Sequence, residues 1–198
     1  MFLPFFFYMI CYIFLYFFIS PVLHCKILYT IHRTIYKEVY YMSNKTNACR
    51  LLDQHKIPYD VHEYEWDEEN LNAKHVAEQI DLQLEQVFKT LVLRGDKTGV
   101  LMACVPAHKE LNLKALASAS HNKKVEMVHM KEILGLTGYI RGGVSPLGVK
   151  KNYPLYVDES ALNWDVISIS AGKRGLQIFL SGRDFIQVRN AMIASIVI

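Results

Sequence analysis

Apolar residues recur at helical spacing in residues 47–55, where Ala48, Leu51 and Leu52 share one face until Pro58 interrupts the pattern. Residues 59–64 alternate apolar and polar, as a half-buried strand does, and residues 73–80 return to helical spacing through Val76, Ala77 and Ile80. Two apolar runs, 88–93 and 100–105, flank Arg94-Gly95-Asp96-Lys97-Thr98-Gly99, which predicts a β-hairpin. Leu113, Leu116 and Ala117 mark a helix within 111–119. A short strand follows at 125–128, then a helical turn at 131–136 closed before Gly138. Residues 155–158, 166–170 and 176–180 read as three further strands. Ser181 with Asp184 opens a last helix expected to run through Phe185, Val188 and Met192.

Strands and short helices are thus interspersed without a regular βαβ rhythm, which predicts an α+β (mixed α/β) domain around a curved sheet. The pattern breaks down upstream. Of 24 aromatic residues in the 198-residue chain, 14 fall within residues 1–41, and no Lys, Arg, Asp or Glu occurs before Lys26. Such an apolar run is long enough to span a bilayer. It lacks the basic start and small-residue cleavage site of a secretory signal, and Lys26, Arg33 and Lys37 behind it would keep everything downstream in the cytoplasm. The same Phe-, Ile-, Tyr- and Leu-rich composition results when an A/T-rich upstream region is read as protein. Met42-Ser43-Asn44-Lys45 begins like an ordinary cytosolic N-terminus. The expected organisation is therefore an extension over 1–41, either upstream mistranslation or an N-terminal anchor, followed by one domain over 42–198.

From Met42 onward, 19 basic residues face 18 acidic ones, a balance that argues against a dedicated duplex-binding protein. Only Cys49 and Cys104 occur there, without CxxC spacing, as expected of reduced cytosolic thiols. The eight His form no HxH or HxxxH pair, so nothing in the spacing supports a metal site.

Candidate chemistry concentrates in two loops and one strand. Gly142-Gly143-Val144-Ser145-Pro146-Leu147-Gly148 satisfies neither a P-loop, since Val149 rather than Lys follows the last Gly, nor a nucleophile elbow, since Gly148 comes three residues after Ser145. It remains a shaped loop whose backbone N–H groups, with Lys150 and Lys151 nearby, suit an anionic group. Ser170-Ala171-Gly172-Lys173-Arg174-Gly175 repeats the design, with a tight turn carrying solvated charges as the plainer alternative. Lys89 shares a strand face with Leu91 and Leu93, which is costly to bury without a partner or anionic ligand, unless the side chain snorkels to water.

Together, Phe88-Lys89-Thr90-Leu91, Thr137-Gly138-Tyr139 and the two glycine loops closely resemble the YbaK family, part of the YbaK/prolyl-tRNA-synthetase editing-domain superfamily. The resemblance covers residues 44–198, with the motifs in family order. It implies a barrel-like mixed sheet flanked by helices, acting on the 3′ end of aminoacylated tRNA alongside prolyl-tRNA synthetase, with no metal and no cofactor. The implied activity is removal in trans of cysteine wrongly attached to tRNA for proline. Lys89 matches the family's functional lysine, which holds the terminal adenosine and orients the ester. Tyr64, Thr90, Tyr139, Gly142, Gly143 and Ser170 match positions lining the same cleft, with Ser145, Gly172 and Lys173 in the loops that complete it. Two departures stand out. Ala171 replaces a usual Gly, which matters if that position needs a positive φ. Gln177 replaces an acidic residue that some members carry near the amino-acid pocket.

The implied chemistry is substrate-assisted: the cysteinyl thiol attacks its own carbonyl, and the protein positions it and stabilises the oxyanion. Other classes stay open at this point: a non-catalytic tRNA- or nucleotide-binding module, a deacylase for another small amino acid such as alanine, and a membrane-anchored protein should residues 1–23 be a genuine anchor. If Met42 is the functional start, intact mass spectrometry of the protein from its native host will show a species lacking residues 1–41. Recovery of the full-length form alone, in the membrane fraction, would overturn that expectation.

Overall fold

The structure, a computed structural model, describes residues 45–66 and 73–198, so the two readings of residues 1–41 lie outside the described residues. Thr46 opens helix α1 (Asn47–Gln54), its hydroxyl accepting from the Cys49 N–H at 3.3 Å, and the helix buries Ala48, Cys49 and Leu52. Strand β1 (Asp60–Glu63) and helix α2 (Ala73–Gln79) precede the hairpin of β2 (Phe88–Gly95) and β3 (Gly99–Pro106). Helix α3 (Leu113–Ala119) is capped by Asn112, whose side chain accepts from Ala115 N–H. Then come β4 (Val125–Met127) and α4 (Met130–Thr137), which Gly138 ends at φ 83°. Strands β5 (Leu155–Asp158), β6 (Ile167–Ser170) and β7 (Leu176–Leu180), helix α5 (Gly182–Arg189) and strand β8 (Met192–Ala194) complete the chain.

These strands form two sheets, ordered β4-β2-β3-β5-β8 and β1-β7-β6. The larger sheet is mixed: β3 runs antiparallel to β2 but parallel to β5, and β5 is parallel to β8. The α+β architecture matches the expectation, whereas the barrel-like closure does not occur among the described residues. The two sheets meet through an isolated parallel bridge, Val87↔Ser168, because the outer edge of β2 is taken by β4 only at Leu93, Arg94 and Gly95.

The central strands of the larger sheet pack against a core on each face, since successive side chains project to opposite faces. Phe88, Met102 and Cys104 point into a core with Leu147, Val157, Ile169, Ile178 and Phe185. Leu93, Leu101, Ala103 and Val105 point the other way, onto Leu116 and Ala117 of α3 and onto Ile196. Each fully buried aliphatic side chain contributes on the order of 1.5–3 kcal/mol, so the two cores lock the register of the hairpin.

The C-terminus departs from expectation. Asn190 adopts a left-handed conformation, φ 45°, and stops α5, so Met192 belongs to β8 rather than to the helix. Parallel pairing to β5, Tyr156↔Met192 through Asp158↔Ala194, captures this segment, and buried Asp158 accepts from Ile196 N–H at 3.1 Å.

Asn122 closes the hairpin turn from outside. Its carbonyl accepts from the Lys97 and Thr98 N–H groups, and its amide donates to the Thr98 and Ser120 hydroxyls. Gly95 is required beside it, since a Cβ there would lie 2.4 Å from the Asn122 side chain. Asn122→Ala strips partners from a buried turn and is expected to cost about 2–3 kcal/mol, read from the urea unfolding midpoint.

Candidate active site

Between the Val87 bridge and β4, one edge of β2 has no neighbouring strand among the described residues, and a cleft of about 610 Å³ opens along it. Tyr64 to Trp66, the start of α4 (Met130, Ile133), the loop around Arg141 and Gly142, and Ser170 with Gln177 form its walls. Tyr64, Lys89, Thr90, Gly142 and Ser170, separated by up to 106 positions in sequence, are thus brought together. Tyr139, Gly143, Ser145, Gly172 and Lys173 do not line the cleft.

Lys89 is half-buried and does not simply snorkel. Its Nζ donates to Ala107 O at 3.0 Å and to Lys109 O at 2.7 Å, two carbonyls of the segment following β3. Burial holds the ammonium below the usual lysine range, and the charge of Glu110 opposes that shift. An ammonium has three N–H donors, so this tether leaves the third for a ligand.

The loop residues outside the cleft build it instead. Tyr139 is buried and donates from its hydroxyl to Leu147 O at 2.8 Å. Burial, reinforced by Cys49, pushes that phenol up to about 12. Gly172, at φ 92°, makes room for the ring, because a Cβ there would sit 2.5 Å from Tyr139 Cε1. Gly143 packs on the backbone of Lys173 and Arg174, where a Cβ would lie 3.1 Å from Arg174 N. The two glycine loops therefore interlock. Ser145, fully buried, accepts from Leu147 N–H, and Ser170 accepts from Gly172 N–H, so both hydroxyls brace their own turns. Lys173 is exposed.

Ala171 is buried and has an ordinary negative φ; the positive angles of its loop fall on Gly172 and Gly175. The replacement of a usual Gly at this position therefore needs no reshaping. Gln177 is buried in the cleft wall and accepts from the Ser168 hydroxyl at 3.1 Å.

Sequence reasoning missed the rim. The Arg174 guanidinium lies 4.2 Å from the centre of the Trp66 ring, and its Nε donates to Arg141 O at 2.9 Å. These residues are far apart in the chain, and no local pattern pairs them. Neither Cys49 nor Cys104 reaches the cleft: Cys49 packs in the core, and burial pushes the Cys104 thiol up to about 12. His62 stacks on Phe179 at 3.7 Å outside it. Among the described residues no cluster of three His, Cys, Asp or Glu is placed to hold a metal ion.

The fold and this cleft define an α/β domain with a recess along a strand edge, a tethered lysine and braced loops, and with neither Cys nor His among the described residues of its lining. Residues 67–188 match the aminoacyl-tRNA editing domain, and the chain belongs to that family. It is 49% identical over 152 residues to the candidate Cys-tRNA(Pro)/Cys-tRNA(Cys) deacylase EbsC of Enterococcus faecalis, covering 77% of this chain and 93% of that one. A proline–tRNA ligase of Thermosipho africanus is 32% identical over 79 residues, which is 40% of this chain and 14% of the ligase. The crystal structure of a candidate trans-editing enzyme for prolyl-tRNA synthetase shares the fold, with a TM-score of 0.68 and 22% identity over 77% of this chain and 95% of that one.

Tyr139→Phe removes the bond to Leu147 O without touching the cleft. It is expected to cost about 1 kcal/mol in thermal or urea unfolding, while changing ligand affinity far less than a substitution at Lys89.

Proposed function

We propose that this protein is a cytoplasmic aminoacyl-tRNA deacylase that removes cysteine from mischarged Cys-tRNA(Pro), acting in trans to prolyl-tRNA synthetase. The similarity to EbsC over nearly the whole of that protein carries this reading, and the tethered Lys89 at a cleft suited to a small terminal group supports it.

An aminoacyl ester is already activated, so positioning accomplishes much of the work. The cysteinyl sulfur attacks its own carbonyl carbon, the S–C bond forms as the ester C–O bond breaks, and the thiol proton ends on the departing ribose oxygen. Lys89 anchors the 3′-terminal nucleotide with its remaining N–H and orients the ester. Tyr64, Thr90, Gly142 and Ser170 meet the substrate in the cleft. Tyr139, Gly143, Ser145 and Gly172 act on it through the shape of the two loops, and Lys173 lies at their exposed turn, where it can meet the tRNA backbone. No metal or cofactor has a step in this scheme.

Deacylation assays with tRNA charged with cysteine, alanine, serine or proline test the reading. Cysteinyl-tRNA is expected to be cleaved far faster than seryl-tRNA, which differs mainly in oxygen for sulfur, and a thiol-blocked cysteinyl-tRNA is expected to resist. Preference for alanyl-tRNA would make the enzyme a deacylase for a different small amino acid. Lys89→Ala is expected to lower activity by about 10²-fold while costing only about 1 kcal/mol of stability, since the two carbonyls it releases can be hydrated. Cys49→Ser and Cys104→Ser should stay active; loss of activity in either, stably folded, would place the nucleophile on the protein.

A further inference from the structure

The open edge of β2 has a definite chemical pattern. Along an antiparallel strand the backbone N–H and C=O groups of successive residues face alternate edges, and three bonds set the phase here. Val87 O accepts from Ala107 N–H at 2.7 Å, on the β3 side. Met102 N–H, opposite Val92, points away from β2 and donates to Pro154 O at 2.8 Å. Val92 O accepts from Val128 N–H at 3.0 Å, on the β4 side. Lys89, Leu91 and Leu93 therefore exchange their bonds with β3, whereas Phe88, Thr90 and Val92 face the other edge. Thr90 sits at the centre of the stretch that neither β4 nor β6 covers, in a non-bonded pair with Cys104, so its N–H and C=O are directed into the cleft it lines.

A free N–H and C=O on one strand residue make a donor–acceptor pair, and their complement is the acceptor–donor pair of another amino-acid residue. An aminoacyl ester carries that complement in its carbonyl oxygen and α-ammonium. Resting on the aminoacyl-tRNA substrate inferred above, we propose that the aminoacyl group docks on β2 as a strand of one residue. Its carbonyl accepts from Thr90 N–H and its α-ammonium donates to Thr90 C=O.

Three features of the cleft fit this assignment. The uncovered stretch from Phe88 to Val92 is only about 13 Å of extended chain and is bounded by a neighbouring strand at each end, which suits a terminal group and excludes a peptide running through. Glu65 is the one acidic residue among the described lining residues and is exposed at the rim, so a backbone carbonyl supplies the acceptor for the ammonium inside. The Thr90 N–H is also a preorganised donor aimed at the carbonyl oxygen, and its bond strengthens as negative charge develops there.

Replacing Thr90 by its α-hydroxy analogue through nonsense suppression turns the amide N–H into an ester oxygen and keeps the side chain. Kcat on Cys-tRNA(Pro) is expected to fall about 10²-fold, with KM and the melting temperature little changed. Tm and kcat are read on one preparation, and an unchanged kcat overturns the proposal. Amide hydrogen exchange on the unsubstituted protein decides the matter even if the analogue fails to fold. Thr90 N–H should exchange faster than Leu91 N–H in the free protein and slow on addition of a non-hydrolysable 3′-cysteinylamino-adenosine, but not of adenosine alone. Equal protection of Thr90 and Leu91 in the free protein overturns the proposal, as does slowing by adenosine alone. Absence of deacylation by the unsubstituted protein is a separate result that overturns the functional reading.

Discussion

The architecture turns on how the outer edge of β2 is shared. β3 pairs with β2 from Phe88 to Gly95, but on the other side β4 takes only the last three residues and β6 touches only at Val87. A continuous partner would have closed the two sheets into one curved wall and left no cleft. Sheet edges with free backbone groups invite pairing with other chains. Here the exposed edge is short and flanked by strands at both ends, so it survives as a recess rather than as an aggregation site.

The walls of that recess hold their shape through close backbone approach rather than through charge. Gly143 lets one loop lie on the backbone of Lys173 and Arg174, Gly172 admits the Tyr139 ring, and the Tyr139 hydroxyl ties the assembly to Leu147 O. The polar groups in these loops are spent internally, on Leu147 N–H by Ser145 and on Gly172 N–H by Ser170. Lys89 follows the same logic from the strand side. Its ammonium is held by Ala107 O and Lys109 O, which fixes a long side chain that would otherwise be free to rotate and reduces the entropy lost when a ligand binds. A site of this kind offers a ligand a fixed place and a defined polarity.

Much of this was legible along the chain. The helical stretches, the hairpin, the alternation that puts Lys89, Leu91 and Leu93 on one face of β2, and the two glycine loops all follow from local periodicity and turn chemistry, which act between residues a few positions apart. Together the motifs also carried the resemblance to the editing family that the comparisons then bore out. What depended on distant partners was not legible. Met192 looks helical by spacing but becomes a strand because β5 offers a parallel edge, and the stacking of Arg174 on Trp66 joins residues 108 positions apart. The family resemblance assigned Tyr139, Gly143, Ser145 and Gly172 to the cleft, and only packing separates a residue that lines it from one that braces a residue lining it. The sequence determined every strand but β8 and which side chains share a face, since those are properties of one segment. The tertiary structure decided which backbone edge stays open and which carbonyls hold Lys89, since a strand's second partner is set by competition among segments far apart in the chain.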